Sequence, residues 1–198
     1  MAGREGNEIF VPWLKDGRGF VVVGPGNYEE IIDEVKSNNM RMPSLDEIVS
    51  LFFEFHPYGF PVLRDVFEYT VLAREVYCYE NDLIKVFDSY NLDSAPKIIL
   101  PFKEEYFGKI LDEGFDRTLS EAMIQRGNLE KLADMRSAEV SFCGHGIPEC
   151  VDRKRNLGCA SISCERDYNY DSTEKFMYVG FDLLDCIDPG SCTLAVFT

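Results

Sequence analysis

Residues 138–198 hold four short apolar runs, "AEVSFC", "CASISC", "FMYVGFDLL" and "CTLAVF", separated by polar stretches with turn residues. Runs of this length, rich in β-branched and aromatic side chains, have the pattern of strands, and none shows the 3.6-residue spacing of a helix. A chain built this way has to form a sheet, and short successive strands favour antiparallel pairing.

The upstream residues read differently. "GFVVV" (Gly19–Val23) is a buried strand closed by the turn "GPGN". Tyr28, Ile31, Ile32 and Val35 share one face of a helix over Tyr28–Ser37. Ser44 and Glu47 form a capping box, and Leu45, Ile48, Val49, Phe52 and Phe53 make the apolar face of the helix that follows. "HPYGFP" stops it, and His56 suits a cap at its end. From Val62 to about Tyr77 the spacing again predicts a helix, with a strand allowed at its end by the aromatic and β-branched content. Asp82–Tyr90 and Lys97–Pro101 read as strands and Phe102–Glu113 as a helix. Thr118 and Glu121 make a second capping box, opening a helix to about Arg136. The expected class is α+β: a helix-rich part over residues 1–137 packed with a mostly antiparallel, cysteine-rich β part over residues 138–198, or both merged in one compact domain.

Composition narrows the function classes. With 198 residues, 45% hydrophobic and 13% aromatic, the chain can bury a core and is not of disordered type. A net charge of −15 repels phosphate backbones and anionic lipid heads, so neither direct nucleic-acid binding nor membrane binding is expected. The start "MAGREGNEIF" has no apolar signal region, and no apolar stretch approaches the ~20 residues of a membrane span. A cytoplasmic protein is expected.

Five potential metal ligands cluster near the C-terminal strands: Cys143, His145, Cys150, Cys159 and Cys164. Thiolate and imidazole suit zinc, which would staple a small β part. The spacing C-x-H-x4-C-x8-C-x4-C lacks the paired C-x2-C knuckles of a zinc ribbon, and on a regular strand Cys159 and Cys164 face opposite sides. Buried free thiols and, in an oxidising compartment, disulfides are the alternatives, although seven cysteines leave one unpaired in a monomer.

"VSFCGHG" resembles the histidine motif of the caspase-like cysteine peptidases. The resemblance implies His145 as the base and Cys186, at the end of "YVGFDLLDC", as the nucleophile, with backbone N–H groups for the oxyanion. That family builds its specificity pocket after the nucleophile, where only residues 187–198 remain here. "VVVGPGNYEE" could hold an anion at a helix N-terminus, but Glu29 and Glu30 already complement the dipole, and no phosphate-loop lysine follows. The dense basic spot "DRKRN" (Asp152–Asn156) reads as a solvated loop.

No constellation meets the full requirement for catalysis. The leading expectation is a non-catalytic, soluble binding or regulatory protein acting through protein–protein contacts, with zinc as a candidate structural cofactor. The alternative is a cysteine- or zinc-dependent hydrolase using His145 with Cys186 or with the Cys143–Cys164 cluster. A further alternative is an acidic inhibitor that mimics nucleic acid.

Overall fold

The computed structural model describes residues 10–12, 19–55, 70–80, 83–88, 91, 93–101, 123–135, 140–143, 156–165, 176–183 and 190–197. These form two sheets and three helices, an α+β arrangement. The first sheet contains β1 (Phe10–Pro12), β2 (Gly19–Val23), β3 (Met40–Arg41) and β10 (Thr193–Phe197), in the order β1-β2-β10-β3, antiparallel throughout. The second contains β4 (Val71–Glu80), β5 (Leu83–Phe87), β6 (Ile98–Pro101), β7 (Val140–Cys143), β8 (Asn156–Glu165) and β9 (Phe176–Leu183). Its order is β6-β5-β4-β8-β9-β7, antiparallel except for the β7–β9 pair. Each sheet takes strands from both sides of residue 137: β10 lies between β2 and β3, and β8 lies beside β4.

The sheets meet where β4 and β10 begin. Val71 bridges Cys192 in parallel, the Leu72 N–H donates to the Cys192 carbonyl at 2.8 Å, and the Cys192 N–H donates to the Thr70 carbonyl at 2.9 Å. The buried Thr193 hydroxyl donates to the Leu72 carbonyl at 2.8 Å, so this hydroxyl is satisfied within the junction.

Helix α1 (Tyr28–Ser37) starts at Asn27, whose side chain accepts from the Glu30 N–H at 3.0 Å while the Glu30 carboxylate accepts from the Asn27 N–H at 3.0 Å. Tyr28, Ile31, Ile32 and Val35 are buried, as their spacing predicts. They pack with Val23 of β2, Met40 of β3, Leu72 and Val76 of β4, Cys159 of β8 and Ala195 of β10. One helix face thus seals residues from both sheets, and each aliphatic side chain buried there contributes roughly 1.5–3 kcal/mol. Gly24, at φ +124°, makes the turn into α1, and a Cβ there would lie 2.9 Å from the Ser191 carbonyl oxygen.

Helix α2 (Leu45–Phe55) has the capping box read from the sequence: the Glu47 N–H donates to Ser44 Oγ at 3.1 Å and the Ser44 N–H to Glu47 Oε2 at 2.8 Å. Leu45, Ile48, Val49 and Phe52 are buried and Phe53 is half-buried. Replacing Ser44 with Ala should cost about 1 kcal/mol, read as a lower urea midpoint with an unchanged slope. A changed slope would mean that the substitution acts on the unfolded chain instead. Helix α3 (Arg126–Met135) is held to α2 by Asn128, whose amide donates to Asp46 Oδ1 at 2.9 Å and Ser50 Oγ at 2.8 Å.

One expectation is corrected. The helix read over Val62–Tyr77 is a strand from Val71 onward; residues 62–69 lie outside the described part. Val71–Ala73 and Val76–Cys78 are all buried, because β4 is an interior strand of its sheet. A strand covered on both faces carries a continuous apolar run, which periodicity cannot distinguish from a buried helix. The Phe102–Glu113 helix and the Thr118–Glu121 capping box also lie outside the described residues, and α3 starts at Arg126.

Candidate functional site

The centre of β4 is where the fold departs from regularity. Leu72 pairs with Ser161 and Val76 with Cys159, so β4 advances four residues while β8 advances two. Such a bulge breaks the ladder locally and re-aims side chains. Here it turns β4 toward the segment that leads into α2. The Arg74 N–H donates to the Pro43 carbonyl at 2.8 Å, and the Leu45 N–H donates to Glu75 Oε2 at 2.9 Å.

Glu75 is fully buried, and its other oxygen, Oε1, has no hydrogen-bond partner. Burial pushes its carboxyl up from the ordinary 4.5 to about 7, against the pull of the Leu45 N–H, its own N–H, and the Arg74 and Lys97 charges. Its hydrogen bond places it as a cap for the first turn of α2, where a carboxylate complements the helix dipole.

Arg74 lines a cleft of about 500 Å³. Its floor is apolar: Tyr28, Ile32 and Val35 from α1, with Met40 and Met42 around β3. Among the described residues its charged lining groups are Lys36, Arg41 and Arg74, all cations, and Asn91 from the β5–β6 connection also lines it. A concave, mostly apolar site with a few convergent polar groups is the general form of a binding pocket.

The three cations are not equivalent. The Arg41 guanidinium is engaged by Glu47 in a two-pronged pair at 2.7 and 2.8 Å. That hydrogen bond raises the Arg41 pKa above its ordinary value. Burial pushes the Glu47 carboxyl up, but Arg41, the Ser44 N–H and the Arg74 charge together hold it below the ordinary range. Arg41 is therefore largely neutralised by Glu47. Lys36, exposed in the last turn of α1, makes no ion pair with another described residue. The Arg74 Nε is buried without a hydrogen-bond partner.

Of the ligands and nucleophile expected from the sequence, only Cys143, Cys159 and Cys164 fall among the described residues. His145, Cys150 and Cys186 are outside the described residues. Cys143 is level with Gly180 on β9, placing its backbone two strands, roughly 10 Å, from β8. Cys159 and Cys164 pair with Asp182 and Met177 in unbroken register, so they occupy positions of opposite parity. This register does not bring the three cysteines to one point, and no group of three or more His, Cys, Asp or Glu side chains is placed to hold a metal among the described residues. Cys159 is fully buried in the apolar cluster beneath α1 and is in no disulfide. Cys78 and Cys192 are likewise buried and in no disulfide, and burial pushes the Cys192 thiol up to about 12, far from a reactive thiolate. Among the described residues, no helix is long and apolar enough to cross a membrane.

No protein-family model matches the chain, nor does any curated protein or solved structure. The functional reading therefore rests on this cleft, which sequence reasoning missed. One local signal was present: "LAREVY" sets two adjacent charges inside an apolar run, which marks a strand that must place both faces' polar groups somewhere specific.

Proposed function

We propose that the protein is a non-catalytic binding protein acting through protein–protein contacts, and that a short segment of its partner occupies the cleft over Ile32 and Met42. The observation that carries this reading is the sign of the lining charges. In a chain of net charge −15, the charged residues that line the cleft among the described residues are three cations, above an apolar floor. Apolar anchors in a pocket with polar groups at its rim are the usual basis of peptide recognition. This reading needs neither a thiolate nucleophile nor zinc.

The test is a selection of random peptides displayed through their C-termini on the full chain and on Asn91→Trp. Asn91 is exposed at the rim, so the indole should fill the cleft without disturbing the core. The expected result is enrichment of a sequence family by the wild-type chain and loss of that family with Asn91→Trp at an unchanged melting temperature. Equal enrichment by both chains would place peptide binding away from the cleft and end this reading.

A further inference from the structure

We infer that the partner segment carries a single aspartate or glutamate beside an apolar side chain, the carboxylate meeting Arg74 and Lys36 while the apolar group rests on the cleft floor. The inference rests on the reading of the cleft as the partner's docking site. Its first support is the inventory of charge. Arg41 is engaged by both carboxylate oxygens of Glu47, whereas Arg74 and Lys36 make no ion pair with a described residue, although Glu47 and Glu75 lie close enough to act on the Arg74 charge.

The second support is the state of Arg74. Its Nε is buried without a hydrogen-bond partner. An unsatisfied buried N–H is costly, and a guanidinium is matched in geometry to a carboxylate. An arriving carboxylate pairs with the guanidinium where Arg74 lines the cleft, while the ligand's apolar part displaces water from the floor.

The third support limits the charge of the occupant. Glu47 and Glu75 both act electrostatically on Arg74. The exposed face of α1 carries Glu29, Glu30, Asp33 and Glu34. These acids lie outside the cleft lining but on the helix that forms part of its wall, so a doubly charged phosphate or a run of acids meets more repulsion there than a single carboxylate flanked by neutral or basic residues.

The experiment uses peptides enriched by the wild-type chain, synthesised as C-terminal amides so that the side chain supplies the acid. Each is paired with its Asp→Asn or Glu→Gln version and titrated against wild type, Arg74→Gln and Lys36→Gln at low and high salt. The acid-to-amide change should weaken binding to wild type about 10- to 100-fold, as expected for a hydrogen-bonded charge pair. Arg74→Gln should abolish most of that difference. Lys36→Gln should reduce it less and chiefly at low salt, because Lys36 is exposed. Lys36→Gln lies on the helix surface and keeps the test decisive if Arg74→Gln fails to fold. A difference that Lys36→Gln leaves untouched at low salt would then count against the inference. Enriched peptides without an acid, or the same discrimination by wild type and Arg74→Gln, would overturn it while leaving the cleft a peptide site blocked by Asn91→Trp. Enrichment of no peptide at all would remove both.

Discussion

Raising the pH from 5 to 8 should destabilise the protein, and Glu75→Gln should remove most of that dependence. The Glu75 carboxyl is raised in the folded chain from the ordinary 4.5 to about 7, chiefly by burial. Between these two values the folded state binds more protons than the unfolded state, so stability falls as pH rises. Below 4.5 both states are protonated and above about 7 both are ionised, so the change is confined to that window. The full loss across it is about 3 kcal/mol. Glu47, held low by Arg41, acts in the opposite sense, but only in more acidic solution. The comparison with Glu75→Gln isolates this carboxyl from the other titratable groups of the chain. The amide still accepts from the Leu45 N–H but buries a new N–H pair, so the slope of stability against pH is the decisive reading rather than its absolute value. Identical slopes for both chains in urea titrations would mean that Glu75 does not change ionisation in this range.

Gly158→Ala should be among the most damaging single-methyl additions available. Gly158 on β8 stands directly opposite Tyr77 on β4, and the Tyr77 ring lies across it. A Cβ at position 158 would overlap that ring. Tyr77 is 2% exposed in an interior strand, so it has no free space to enter. Overpacking of this kind costs roughly 1–3 kcal/mol or more. The matching experiment is a double-mutant cycle with Tyr77→Leu. That substitution alone should destabilise by opening a cavity, and in the pair the alanine methyl should occupy part of it. A coupling near zero would show that the ring moves aside at little cost.

The parts of the fold legible in the sequence are those fixed by local chemistry. The faces of α1 and α2 followed from spacing, and the α2 start followed from Ser44 and Glu47. The C-terminal strands β8, β9 and β10 fell where the short apolar runs and the turn residues between them placed them. What was illegible depends on partners distant in the chain. β4 reads as a helix until β5 and β8 are known to flank it. β3 is two residues long, too short for any period, yet it contributes Arg41 to the cleft. The cleft gathers residues from α1, β3, β4 and the β5–β6 connection, and no contiguous motif records that meeting. The cysteines drew attention because sulfur is conspicuous in a sequence, whereas Arg74 and Lys36 look like any surface cation.

The position of β10 has a consequence for how the molecule is made. The strand inserts between β2 and β3, and Ala195 completes the cluster beneath α1. Both flanking strands leave the ribosome long before it does. During synthesis their facing edges have no ladder to join, and the apolar side of α1 lacks part of its cover. The nascent chain must therefore be carried through this interval in an open form, when bare strand edges are most prone to pair with the wrong neighbour. The strong negative charge is well suited to that interval, since it makes two such chains repel each other before either can close.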